Sequence, residues 1–159
     1  MVNSTGILKM LPLSTSNEQD FDDTFATNVP GTFNVLRQAA RRLSDGSRIV
    51  TLSSSVLALS PPGIRPYAAS KAAVEVLTRT LANELRGRQI NVNAVAPGAT
   101  AMELFSEGKS QEQIVRFTHW PPLGPLGTPE DIANVVSFLA GPDGGWVNGQ
   151  VLRANGGYA

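Results

Sequence analysis

The sequence contains no cysteine. That absence excludes disulfides, thiolate catalysis, iron–sulfur clusters and cysteine-ligated zinc. It fits a reducing compartment, and a cytoplasmic location is the expectation. Histidine is almost as scarce, with His119 the only one. No carboxylates cluster beside it, so no metal site is expected. Charged residues make up 16% of the chain, against about 25% in an ordinary soluble domain, so much of this chain is built to be covered. Thirteen basic residues balance thirteen acidic ones. A net field steering the chain to nucleic acid or to an anionic membrane is therefore not expected. No apolar run approaches the ~18 residues that cross a bilayer. Met1 to Leu13 lacks the charged head, apolar centre and small-residue cleavage site of a secretory signal.

Within its 159 residues, 42% are apolar, 15 are glycine and 11 are proline. The length suits one domain with a sizeable core. The apolar share is too high for a disordered chain, so the glycines and prolines point to tight turns. Ser16-Asn17-Glu18-Gln19 reads as a capping box opening a helix. Phe21, Phe25, Val29, Phe33, Leu36, Ala40 and Leu43 continue it at helical spacing. Pro30 lies inside that stripe and should kink or break it. Arg48 to Ser53 reads as a buried strand, Ser54 to Pro66 as a loop, and Tyr67 to Leu85 as a second helix ended by Gly87. Ile90 to Ala96 is a second strand, closed by Pro97-Gly98. A plausible helix starts at Ser110-x-x-Gln113. Thr128-Pro129-Glu130-Asp131 is the clearest helix start, with a hydroxyl cap, proline at the first position and acids in the first turn. A last strand falls around Gln150 to Arg153, ended by Asn155-Gly156-Gly157. Strands separated by helices predict βαβ crossovers and a parallel sheet covered on both faces. In such sheets ligands bind beyond the carboxyl ends of the strands, where Ser54, Pro97-Gly98 and Asn155-Gly156-Gly157 should meet.

Tyr67 and Lys71 stand four apart at the start of one helix and share a face. A tyrosine there could pass a proton to or from a substrate oxygen. A neighbouring ammonium and the positive helix end would both favour the phenolate and lower a pKa that is ordinarily about 10. Ser54, at a neighbouring strand end, could bond the same oxygen. Each feature also has an ordinary explanation. Tyr and Lys meet at this spacing in many helices, three serines can cap a strand end locally, and Pro-Gly is often a plain turn.

Taken together, the intervals carry more. Tyr67-Ala68-Ala69-Ser70-Lys71 resembles the Tyr-x-x-x-Lys signature of the short-chain dehydrogenase/reductase family, with Ser54 at that family's serine position. Thr27-Asn28-Val29 resembles its helical asparagine motif. Asn91 to Gly98 resembles its sixth strand and Pro-Gly turn. Gly127 to Ala133 and Gly149 to Gly157 resemble its closing helix and strand, in a style similar to 3-oxoacyl reductases. The resemblance covers essentially the whole chain. It implies the C-terminal half of a Rossmann-like doubly wound α/β sheet, with residues 1–159 as a single partial domain truncated at the N-terminus. It implies hydride transfer between NAD or NADP and a small carbonyl compound or secondary alcohol. Tyr67 would be the general acid or base, Lys71 its activator and a ligand of the nicotinamide ribose, Ser54 the positioner of the carbonyl, and Asn28 the holder of a relay water. Asn3, Gly6, Pro97, Gly98 and Thr100 would join Tyr67 and Lys71 at the cofactor. A homodimer or homotetramer is implied, through the helices at 17–43 and 67–86.

The departures from the family pattern are as informative. No Thr-Gly-x-x-x-Gly-x-Gly turn is present. Met1-Val2-Asn3-Ser4-Thr5-Gly6 resembles the family's fourth strand and Asn-Asn-Ala-Gly motif, with Ser4 and Thr5 substituted. Met102 stands where many relatives carry a cofactor-contacting threonine, leaving Thr100 as a candidate replacement. A sheet lacking its first half would expose an edge and apolar faces, so poor stability or oligomerisation is expected. The alternative to an oxidoreductase is a non-catalytic remnant or subunit-association module that cannot bind the dinucleotide. Phe21, Phe25 and Phe33 read as core or subunit interface, Asp22-Asp23 as a helix start, and Arg37, Arg41, Arg42 and Arg48 as a solvated basic patch.

Overall fold

The computed structural model describes residues 1–9, 12–102, 105, 110–124 and 126–159. Four parallel strands lie side by side in chain order: β1 (Val2–Asn3), β2 (Arg48–Leu52), β3 (Asn91–Pro97) and β4 (Val151–Ala154). Between β1 and β2 run α1 (Glu18–Asn28) and α2 (Pro30–Arg42). Between β2 and β3 run a short α3 (Val56–Leu59) and α4 (Arg65–Glu84). Between β3 and β4 run α5 (Gln111–Thr118) and α6 (Pro129–Ala140). The register sets Arg48 beside Asn91 through Leu52 beside Val95, and Ala94 beside Val151.

Alternate residues of each strand face opposite ways, and both sides are packed. Ile49 and Val92 point into a cluster with Leu36 and Ala39 of α2 and with Leu81 and Ala82 of α4. Val50 and Val95 point the other way, onto Leu139 of α6 and the half-buried Ile132, Val135 and Val136. This is the expected doubly wound α/β arrangement. The asparagines of β3 are unusual in so buried a strand, and their partners explain them. Asn91 donates to the carbonyls of Gly145 and Val147, and Asn93 donates to Val147 and accepts from the Gln150 amide. They fix the segment that leads into β4.

The expected break at Pro30 is present: the first helical stripe is two helices, because Pro30 has no amide hydrogen to continue the ladder past Val29. Other local expectations need correction. The cap of α1 is Asn17, whose side chain accepts from the Asp20 amide, while Ser16 Oγ bonds back to the Pro12 carbonyl. Asp22-Asp23 lie inside α1, and Asp23 with Asp20 grips Lys9 at 2.8 Å. Phe21 and Phe33 are not core. Phe21 stacks on Phe25 at the surface, and Phe33 carries Arg37 over its ring. Arg48 turns away from the other arginines, donating to the carbonyls of Gly46 and Ser47. The predicted 54–66 loop contains α3, and α4 starts two residues earlier than expected, at Arg65. The Thr128 hydroxyl cap, Pro129 at the first position and the first-turn acids are as expected, and Asp131 completes a capping box by accepting from the Thr128 amide. Gly87 takes the left-handed conformation with φ +88°. The Gln113 side chain, on which the Ser110 cap depends, lies outside the described residues.

Candidate active site

Three serines follow β2, and neighbouring groups divide their roles. Ser53 Oγ donates to Glu75 Oε1 at 2.7 Å, and Ser55 Oγ donates to the Ala96 carbonyl at 2.7 Å. Ser54 Oγ accepts from the Val56 amide at 3.4 Å and lines the cavity at the carboxyl edge of the sheet, close enough to the Tyr67 phenol to favour its ionised form. The fold thus brings together the two side chains that the sequence places thirteen residues apart.

Tyr67 sits in the first turn of α4, and Lys71 follows one turn later. The Lys71 ammonium lies 5.7 Å from the centre of the Tyr67 ring and donates to the Leu52 carbonyl at 2.8 Å. Lys71 is 4% exposed, and burial pulls its pKa from 10.5 down to about 8. Burial pushes the Tyr67 phenol above its ordinary value, and the Ser54 hydroxyl opposes that in part. The expectation that Lys71 lowers the Tyr67 pKa therefore does not hold for the protein alone. Desolvation disfavours both phenolate and ammonium, and the ammonium is turned to a backbone carbonyl. Tyr67 is held as an acid.

Asn28 is fully buried at the end of α1. Its Oδ1 accepts from the Ile7 amide at 2.9 Å, and its Nδ2 donates to the Ile7 carbonyl at 3.0 Å and to Ser70 Oγ at 2.9 Å. Ser70 Oγ in turn donates to the Tyr67 carbonyl at 2.7 Å. The amide therefore ties the 4–9 loop to α4, and it does not line the cavity. The expected water-holding role cannot use this amide, whose groups are taken. Gly6 passes beside Lys71 and the Asn28 side chain. A Cβ there would meet Lys71 Nζ at 3.1 Å and Asn28 Oδ1 at 3.3 Å.

The cavity encloses about 540 Å³ and is lined by Ser54, Tyr67 and Lys71 together with Gly6, Pro97, Gly98 and Thr100. Thr100 turns its hydroxyl to the Gly98 carbonyl at 3.1 Å, so its donor is taken. Asn3 is not on the cavity wall; its side chain donates to Thr32 Oγ1 at 3.2 Å and accepts from the Thr5 amide. His119 is exposed. Among the lining residues that sequence reasoning did not assign to the site is Tyr158. It reaches the cavity from the segment after β4, and a Cβ on Gly98 would lie 2.7 Å from its ring. The only available signal was its position after Gly156-Gly157, a turn whose direction no periodicity reveals.

A parallel sheet wrapped on both faces, with a serine, tyrosine and lysine converging beyond its strand ends, defines an α/β domain of the Rossmann kind. A family model described as enoyl-(acyl carrier protein) reductase matches residues 1–159. An "NADPH-dependent aldehyde reductase-like protein, chloroplastic" of Arabidopsis thaliana is 44% identical over 99% of this chain and 60% of its own length. A "short-chain type dehydrogenase/reductase" of Picea abies is 44% identical over 99% of this chain and 59% of its own length. The solved structure of angucycline C-6 ketoreductase LanV with bound NADP superposes with a TM-score of 0.92 at 31% identity, covering 99% of this chain and 61% of that one. The chain belongs to the short-chain dehydrogenase/reductase family of oxidoreductases, and it spans about 60% of the length of the curated relatives it matches. Among the described residues, no helix is long and apolar enough to cross a membrane.

Proposed function

We propose that this chain carries the proton-transfer half of an NAD(P)-dependent carbonyl reductase. The observation that carries the reading is the convergence of Ser54, Tyr67 and Lys71 on one cavity, with the Lys71 ammonium 5.7 Å from the centre of the Tyr67 ring. Ser54 holds the substrate oxygen, and Tyr67 donates its phenolic proton to that oxygen as the carbonyl carbon is reduced. The raised Tyr67 pKa keeps the proton available, which suits reduction. Oxidation of an alcohol would need the phenolate and so a higher pH.

The residues present fit the nicotinamide riboside end of the cofactor. Lys71 has three N–H donors, one committed to Leu52, and it faces the cavity beside Tyr67. Pro97 and Gly98 give an apolar strand end for the ring. When bound, the nicotinamide supplies the hydride. Relatives named for NADPH or solved with NADP favour the phosphorylated form. Lys71 holds the ribose, and Asn28 acts by fixing Ile7 and Ser70 beside it. A homodimer or homotetramer acting on a small carbonyl compound, in the cytoplasm, completes this reading. So does the view of residues 1–159 as one partial Rossmann-like domain.

The test is a titration of NADPH and NADH against melting temperature and Tyr67-dependent carbonyl reduction. A melting shift, with turnover lost in Tyr67→Phe, supports the proposal. A folded protein that shows no shift at millimolar cofactor overturns it in favour of a non-catalytic association module.

A further inference from the structure

The cavity that holds Ser54 and Tyr67 is also walled by aromatic rings from two separate segments. Phe117 and Trp120 come from α5 and the turn after it, and Tyr158 comes from the segment after β4. Phe117 and Trp120 are 4.6 Å apart at 68°, and Trp120 and Tyr158 are 6.0 Å apart at 45°. Phe105 extends the row, edge-on to Phe117 at 5.5 Å. An edge-to-face pair leaves each ring part of its π surface, and because these rings line the cavity a further ring can meet them there.

The wall is tied to the reacting side. Asn155 Nδ2 donates to Ser55 Oγ at 3.1 Å, and Gly157 N–H donates to Asn155 Oδ1 at 3.0 Å. The Leu123 amide donates to the Gly156 carbonyl at 3.1 Å, and a Cβ on Gly156 would meet Pro121 Cβ at 2.8 Å. Trp120 and Tyr158 are therefore held against each other, at a set position relative to Ser54.

Charge gives the second half of the argument. Among the described lining residues, Lys71 is the only charged one, and its ammonium is already bonded to Leu52. A carboxylate or phosphate on the substrate would lose its water and gain no partner beside the wall. A cavity of about 540 Å³ falls in the range of small-molecule sites.

Resting on the reading above, we propose that the substrate is an uncharged carbonyl compound bearing a flat aromatic ring. Trp120 and Tyr158 select it by ring contact, acting as specificity-determining residues.

The sequence holds two tryptophans, and Trp146 is fully exposed, so Trp146→Phe leaves Trp120 as a single fluorescent reporter. The probes are 2-acetylnaphthalene, 2-decanone and 6-acetyl-2-naphthoate: a neutral ring, a neutral chain and a charged ring. Their affinities are read by calorimetry and by Trp120 emission. The neutral ring should bind roughly tenfold more tightly than either of the others. Trp120→Leu and Tyr158→Leu should each weaken it about fivefold and leave 2-decanone unchanged, whereas Tyr158→Phe should retain it. Equal affinity for ring and chain, or for neutral and charged ring, overturns the proposal without any variant being needed. Ring-selective binding without cofactor-dependent reduction would instead defeat the oxidoreductase reading and leave the ring site standing. Turnover of both neutral ketones at equal kcat/KM, with equal affinities, would do the reverse.

Discussion

On the strand-end side of the cavity, the polar side chains have assigned partners. Ser54 meets Tyr67, Lys71 meets the Leu52 carbonyl, and Asn28 grips both backbone groups of Ile7 and the Ser70 hydroxyl. These groups sit on helices or at strand ends, in a buried setting. Elsewhere on the wall, Phe117, Trp120 and Tyr158 meet through ring contacts, on segments joined by a few backbone hydrogen bonds and two tight glycine approaches. The first side is positioned by the fold and the second by the ends of connections. Reaction chemistry belongs on the side that cannot move, and selectivity can reside on the side that tolerates exchange.

The contrast can be broken most forcefully at Tyr67. Tyr67→Phe keeps the ring and removes the proton, so kcat for carbonyl reduction should fall roughly 10²–10⁴-fold with unfolding unchanged. A variant retaining most of its activity would strip the strand-end side of its chemical role. Lys71→Met tests the electrostatics. With a pKa of about 8 in the fold against 10.5 in the open chain, the unfolded state holds a proton that the folded state has released between those values. Stability therefore rises with pH across that window. Below pH 8 the buried charge costs on the order of 3 kcal/mol. The Met variant should be inactive yet more stable at pH 7, by up to that amount less the lost Leu52 bond, and the advantage should vanish near pH 10.5. Urea titrations at both pH values measure it, and a pH-independent difference would contradict it.

Smaller effects sharpen the contrast. Asn28→Ala orphans the Ile7 amide and carbonyl and should lower stability by about 2 kcal/mol, read from the chemical denaturation midpoint. Trp120→Leu, on the loop-built side, should cost only about 1 kcal/mol while changing substrate preference. If Trp120→Leu proved the more destabilising of the pair, the division between a rigid side and an adaptable one would be wrong.

Much of the reacting side was legible in the sequence, because it is made of periodic elements. The helix read from Tyr67 onward puts Tyr67 and Lys71 four apart on one face at its start, and that start lies at the strand ends. The parallel sheet followed from alternating strands and helices. The electrostatic sign at Tyr67 was not legible, since spacing reports proximity and not desolvation. Nor was the role of Asn28, whose partner Ile7 lies in a loop with no periodic signal. Asn17 and Ser16 are both good caps, and only the chain's approach from Pro12 decides between them. Tyr158 and Trp120 are far apart in sequence and meet through turns, where no repeating pattern operates.

The anchoring of the final residues has a practical consequence. Asn155 Nδ2 holds the Ala159 carbonyl at 3.0 Å as well as Ser55. Removing that one side chain, as in Asn155→Ala, would therefore release the Ser55 hydroxyl and the Ala159 carbonyl together, and Tyr158 between them would lose its fixed seat.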